Sequence, residues 1–444
     1  MAMTRHPTGA NVAQPATHRV SPQRRILTVL FIVSFALDFK GSTGGSPLQM
    51  FMMALNTIAF LMLAVSFRMV IPRKGFVAFL LWGWGSFLII GSLGALISAT
   101  PFGHYIRIAY AFVLFLEGFL VAWWIARDSR DAGMIVSAMM ATAVVSLFFT
   151  FWWGFFFTGL SREEIRYQIL SPLIPLLLVV AGYDLIFARR RKLWSFALLG
   201  IVLGMVALSV TRGPLLIVGL VAGLVLLAAL RNALRTMRIP GPFLRGLIVV
   251  VIMAAVGLSE SILFNPDILG RWMHRSVGAA QDVTFWTRIA AIEGQFQALT
   301  SNQIGWLIGQ GFGSSYPWPV TNFPWILQYM GAHAIGRSVW FPGEFMWSPF
   351  VYYGGFIFGP IAALVLLRGA LHTYRILVML LRAKSWRDAR VRPLWVGVLG
   401  YLAFLVMGFT ANPFILRLAA LFMGLCLGIV VAQNRFAEIN NSHQ

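Results

Sequence analysis

The stretch AHAIGRSVWFPGEFMW, residues 332–347, places His333, Arg337 and Glu344 within twelve positions of one another in a chain where charge is scarce. An imidazole or a carboxylate can serve as a general base when a hydroxyl must lose its proton, and Glu344 or His333 could fill that role. Arginines offer a complementary chemistry, because a planar guanidinium holds phosphate oxygens through two parallel N–H donors. Arg212 stands in the tight turn of SVTRGPLL, Arg162 and Arg166 in SREEIRYQ, Arg288 in DVTFWTRIAAIEGQFQAL, and Arg417 one turn into the last apolar run. Each of these could equally be an interfacial anchor whose aliphatic stem snorkels toward lipid headgroups. Arg212 has the strongest claim to function, since a Gly/Pro hairpin leaves its side chain little freedom to be merely solvated. The sequence has no Asp-rich run and no His/Cys cluster at metal-ligand spacing, so it implies no metal and no other cofactor.

The elements that must position these residues are membrane spans. The chain is 59% hydrophobic and 11% charged over 444 residues, where a soluble domain carries roughly 25% charged residues. Its one cysteine, Cys426, excludes a disulfide within the chain. About 20 apolar residues are needed to cross the hydrocarbon. Twelve runs qualify, at 26–38, 48–66, 76–98, 105–126, 132–158, 170–187, 193–209, 213–230, 243–263, 345–367, 395–411 and 414–432. The expectation is an all-α polytopic membrane protein of about 12 transmembrane helices. A basic tail (1–25) precedes helices one to nine (26–263). Residues 264–344, rich in Trp, Gly and Pro, form a long and partly helical loop, followed by helices ten to twelve (345–432) and a short tail (433–444). The first run ends in ALDFKG without a small-residue cleavage site, so it reads as an uncleaved helix.

Lys and Arg resist translocation, and their placement orients the bundle. With both termini cytoplasmic, 25 of the 35 basic residues fall on the inner side and 10 on the outer. The formal charge of +21 is therefore a topology signal. It gives no support to nucleic-acid binding, although anionic membrane lipids would welcome it. The long loop is then extracytoplasmic, and His333, Arg337 and Glu344 close it.

Within that loop, Phe285, Ile289, Ile292, Phe296 and Leu299 recur at helical spacing, which predicts an amphipathic helix lying on the membrane or on the bundle. Arg288 and Glu293 lie off the stripe, and periodicity alone favours a solvated polar face for them. The glycines at 309, 311 and 313 lack a βαβ context and are expected to turn the chain back after the helix.

Taken in order, these features resemble the O-antigen ligase and polymerase superfamily. The likeness rests on the twelve-helix bundle, the long loop between helices nine and ten, the TRG turn opening helix eight, the Arg-bearing loop helix running into GQGFG, and the re-entry EFMWSPFVYYGGFIFG. The resemblance implies a metal-independent glycosyltransferase on the periplasmic face of the bacterial inner membrane. Its donor would be an undecaprenyl-diphosphate-linked glycan, its acceptor a glycan or the lipid A core, and other polysaccharide-assembly proteins its associates. By position, Arg212 and Arg288 match the arginines that contact the diphosphate. Arg337 would hold Glu344 ionised or add a third phosphate contact, and Arg162 and Arg166 face the same side. The position where many relatives carry histidine falls on Glu344, while His333 lies eleven residues earlier, so either could be the base. That displacement tilts the reading from ligase toward polymerase. A transporter or flippase of lipid-linked glycan is the alternative, for which Glu117 in helix four would be the intramembrane coupling carboxylate.

Overall fold

The computed structural model describes residues 20–39, 46–67, 72, 74–158, 168–187, 192–209, 213–236, 283–301, 303–317, 339–343, 345–382 and 388–441. Helices dominate: α1 (Pro22–Val33), α2 (Pro47–Ser66), α3 (Gly75–Ile97), α4 (Phe102–Ile125), α5 (Ser129–Phe156), α6 (Ile174–Phe187), α7 (Lys192–Ser209) and α8 (Gly213–Thr236) come first. After them come α9 (Val283–Thr300), α10 (Gln303–Ile308), α11 (Trp347–Arg382), α12 (Arg392–Met407) and α13 (Arg417–Asn441), with a 3-10 turn at Pro413–Ile415. Two short strands, β1 (Tyr316–Pro317) and β2 (Val339–Trp340), pair antiparallel with Tyr316 opposite Trp340.

Among the described residues, α2, α3, α4, α5 and α11 are long and apolar enough to cross a membrane, and α6, α7, α8, α12 and α13 carry shorter apolar segments. Large apolar side chains also cover the outside of the bundle, with Val65 80%, Leu96 77% and Leu193 83% exposed. A water-soluble surface does not carry apolar area on that scale. This is a helical membrane protein. Of the twelve expected runs, 243–263 lies outside the described residues, and each of the others falls on a helix.

Several boundaries differ from expectation: α8 runs on to Thr236 and α13 to Asn441, and α12 ends at Met407. Helix α1 stops at Val33 rather than at 38, and its end is closed by the Ser34 hydroxyl donating to the Phe31 carbonyl (2.8 Å). Helix α11 runs past 367 to Arg382. The Arg368 guanidinium lies 4.7 Å over the Phe79 ring, and the helix continues through it. Thirty-six residues would make a straight rod of roughly 54 Å at 1.5 Å per residue. The element is not one rod, because Gly355 (φ 70°, ψ −175°) interrupts it and sets a short first segment against a longer second one.

The centre of the bundle is α4 against α13. Their backbones meet at glycines: a Cβ on Gly118 would lie 2.5 Å from the Leu421 carbonyl oxygen, one on Gly424 2.1 Å from that of Phe115, and one on Gly428 2.5 Å from that of Phe119. Without a hydrophobic drive between helices in lipid, such close approach by small residues is what brings them together. One end of the bundle is basic, with Arg25 paired to Asp131 (2.7 Å) and Arg392 in a two-pronged pair with Asp184 (2.8 and 2.7 Å). The opposite end carries α9, α10 and the two strands, and is called the loop end below.

Candidate functional site

At the loop end, the chain between α12 and α13 forms a short, tightly bonded connection, GFTANPFIL at 408–416. Thr410 and Ala411 both donate their amides to the Met407 carbonyl (2.8 Å each), and Asn412 caps the 3-10 turn by accepting from the Phe414 amide (2.9 Å). Phe414 is fully buried in an aromatic cluster, stacked on Phe112 with ring centroids 4.8 Å apart and packed against Trp84 at 5.3 Å. That anchor makes the connection a fixed surface.

The described parts of three other segments meet it. From α9, Arg288 donates Nη2 to the Thr410 carbonyl (2.8 Å). From the start of α8, a Cβ on Gly213 would lie 3.5 Å from Thr410 Oγ1. From the entry to α11, the Met346 amide donates to the Gly408 carbonyl (3.1 Å), and the Phe345 and Trp347 rings lie 6.5 and 5.6 Å from that of Phe409. On the other side of Glu344, a Cβ on Gly343 would lie 3.5 Å from Ile415 Cδ1.

Arg288 faces the bundle and is half-buried, not part of a solvated face as periodicity favoured. The side of α9 that packs is made of small or polar residues: Ala290, Ala291, Gly294, Gln295 and, at its end, Leu299. Ile289, Ile292 and Phe296 from the expected apolar stripe are exposed, and only Leu299 of the described stripe is buried. The helix itself stands where it was expected, at Val283–Thr300.

The glycine turn fixes α9 in place. Gly309, Gly311 and Gly313 all have positive φ (75°, 79° and 78°), which a side chain would resist. Between them, Gln310 donates in two directions: its backbone N–H to the Tyr352 carbonyl (2.8 Å) and its Nε2 to the Ala298 carbonyl at the end of α9 (2.7 Å). The Phe312 amide donates to Gly91 of α3 (2.9 Å), and its ring is fully buried against Phe87 and Phe112. The glycines therefore dock the loop on α3, α4 and α11, which goes beyond the simple chain reversal read from their spacing.

The chemistry of this surface is rich in donors. Arg288 Nε, Asn412 Nδ2 and Trp347 Nε1 are buried N–H groups with no acceptor among the described residues. Buried donors are almost always satisfied, and three around one connection suit an oxygen-rich anion. Of the sequence candidates, Arg288 is brought to this surface. Arg162, Arg166, Arg212, His333, Arg337 and Glu344 lie outside the described residues, but the chain neighbours of Arg212 and Glu344 reach the same nine residues as Arg288. Sequence reasoning missed Thr410, Asn412 and Trp347. The only cue was the two-residue gap between the runs 395–411 and 414–432, which demands a compact connection.

A cavity of about 270 Å³ lies elsewhere, between α5, α6, α7 and α12 at the basic end, lined by Asp184, Arg392, Ser195 and Trp194 among others. It holds none of the candidates. Among the described residues no group of three His, Cys, Asp or Glu side chains could hold a metal ion. Comparison with protein-family models, curated proteins and solved structures finds no match to this chain.

Proposed function

We propose that this protein is a glycosyltransferase that extends or transfers a glycan carried on undecaprenyl diphosphate, at the periplasmic face of the bacterial inner membrane, with polymerase favoured over ligase. The observation that carries the reading is Arg288. Its Nη2 is held by the Thr410 carbonyl, which aims the guanidinium, while its buried Nε–H has no acceptor among the described residues. A diphosphate oxygen is the ligand such a half-occupied fork suits.

In the reaction, the bond between the donor's anomeric carbon and the diphosphate oxygen breaks as the acceptor hydroxyl bonds to that carbon. The departing diphosphate gains negative charge, and preorganised guanidinium groups stabilise it. Arg288 supplies one and Arg212, which precedes Gly213, a second. The acceptor's proton passes to Glu344 or His333. The distribution of Lys and Arg along the sequence supports the loop end as the periplasmic one.

Purified protein with a carrier-linked glycan tests this directly. Arg288→Lys keeps the charge but loses the planar fork, so it should lower kcat/KM nearly as far as Arg288→Ala, by roughly 10- to 100-fold, the worth of one charged hydrogen bond. A lysine variant with wild-type turnover refutes the diphosphate role.

Glu117 favours a second reading. It is 6% exposed on α4, and its Oε2 has no partner among the described residues. A buried, unpaired carboxylate in a membrane helix suits a transporter's coupling site. Flipping of lipid-linked glycan in liposomes without product would favour that reading.

A further inference from the structure

The donor-rich connection ends at Arg417, the first residue of α13, and a second cationic group stands there. Arg417 donates Nη2 and Nε to the Asp38 carboxylate (2.8 and 3.2 Å), and Gln49 Nε2 donates to the same carboxylate (3.2 Å). Asp38 is thereby engaged by three N–H groups. Arg107 of α4 stands at the same level, because α4 and α13 run side by side in one direction, with Phe115 meeting Gly424 and Phe119 meeting Gly428. Arg107 is exposed, and among the described residues it has no hydrogen-bond or ion-pair partner. Two guanidinium groups thus stand at one level of the bundle, and Asp38 is already spent on Arg417. Like charges held together disfavour one another, and an anion delivered from the membrane would relieve the repulsion.

The surroundings confine that anion to the loop end. One turn deeper on the same face of α4, Tyr110 is tied to Met53, Asn56 and Thr57 of α2 and closes the cluster from below. One turn nearer the loop, the His104 ring lies 4.9 Å from that of Phe341, three residues before Glu344 in the chain.

We infer that Arg107 and Arg417 form a second station for a membrane-anchored diphosphate, and that it holds the carrier of the acceptor while Arg288 holds the carrier of the donor. The inference rests on the glycosyltransferase reading and deepens it. A transfer between two carrier-linked glycans requires two lipid diphosphates in the same leaflet, and the connection between α12 and α13 presents one arginine station near Thr410 and another at Arg417. A transfer to a different kind of acceptor requires only the first. The second station therefore decides for polymerase. The shared chemistry is a phosphate on a lipid, which a phospholipid headgroup also offers, so the test separates the two sources.

Full-length protein in detergent, titrated with undecaprenyl diphosphate and followed by native mass spectrometry, should take up two copies. Arg107→Ala and Arg288→Ala should each take up one. Arg107→Gln serves as the second variant, at a position exposed on α4. In turnover assays, Arg107→Ala should raise the KM for the acceptor by about tenfold or more while leaving that for the donor unchanged. One copy on the wild type, or two on Arg107→Ala, overturns the inference. So does displacement of the second copy by equimolar phosphatidylglycerol, which would make this a headgroup site. Two copies with the expected dependence on Arg107 but no glycan transfer by the wild type would refute the glycosyltransferase reading and leave the station standing.

Discussion

Replacing Gly311 by alanine should undock the loop without unfolding the bundle. At φ 79° a Cβ is itself unfavourable, by about 1–2 kcal/mol. The larger effect is steric: that Cβ would stand 1.8 Å from the Ala95 amide nitrogen and 2.3 Å from the Gly94 carbonyl carbon, both backbone atoms of α3. Ordinary contact needs some 3.4 Å, so the turn and α3 must separate by about 1.5 Å. The 2.9 Å bond from the Phe312 amide to Gly91 cannot survive that shift, and the Phe312 ring must leave part of its pocket. Losing one buried hydrogen bond costs about 1–3 kcal/mol and part of a phenylalanine's burial about another 1–2. With the backbone strain, the docked state loses roughly 3–7 kcal/mol. At 1.4 kcal/mol per decade, amide exchange at Gln310 and Phe312 should accelerate at least about a hundredfold by hydrogen–deuterium mass spectrometry. Protection in α4 and α13 should stay as in the wild type, and glycan transfer should fall with the loss of docking, because Gln310 ties the end of α9. Gly85→Ala is the control, since a Cβ there meets nothing within 4 Å. If Gly311→Ala keeps wild-type protection at Phe312, the loop does not dock as described and the placement of Arg288 fails with it.

Glu344→Gln keeps shape and hydrogen bonding but cannot take a proton, so it should lower turnover about a hundredfold or more with donor binding retained. His333→Ala is its partner measurement, and an active Glu344→Gln beside an inactive His333→Ala would assign the base to the histidine. Cysteine placed at Ser301, exposed just after α9, should react with an impermeant maleimide in intact spheroplasts. Labelling only after lysis would invert the topology and put the site on the wrong side for a periplasmic carrier.

The helices were legible because a membrane imposes one strong rule: every backbone group must be satisfied within the segment, so long apolar runs are helices. Helix α9 was legible for a related reason, an apolar repeat at helical period. What was misread is Arg288: with the stripe of Ile289, Ile292 and Phe296 exposed, the helix packs through its other side, which carries the arginine to Thr410. In water the bulky face turns inward, but a helix at a lipid boundary can leave that face exposed and pack through Ala290, Ala291 and Gly294. The same inversion hid Gly424 and Gly428, four residues apart and buried against α4, inside an apparently uniform run. Helix α11 continues past the apolar run that ends at 367, with the Arg368 guanidinium resting on Phe79. The site surface was out of reach for another reason. Arg288, Asn412 and Trp347 become a donor surface only through contacts across the chain, such as the 122 positions between Arg288 and the Thr410 carbonyl that accepts from it.

The arrangement explains why an amphipathic helix, and not a soluble loop, presents Arg288. On the proposed function, a carrier's diphosphate would sit at the boundary of the bilayer because its lipid cannot leave, and a side chain that grips it must be held at that depth. An exposed apolar stripe on α9 holds the helix at the boundary, and its small-residue face lets it lie close enough for Nη2 to reach the Thr410 carbonyl. The two faces perform separate tasks, one setting depth and the other setting direction. Replacing the stripe with polar residues would then release α9 toward water while leaving the packed face intact, and the guanidinium would lose its depth before it lost its hydrogen bond. Arg107 and Arg417 need no such device, since α4 and α13 already fix them at the end of the two helices that pack most closely in the bundle. On the proposed reading one arginine station depends on the loop and the other on the core, so undocking the loop should abolish the first and spare the second.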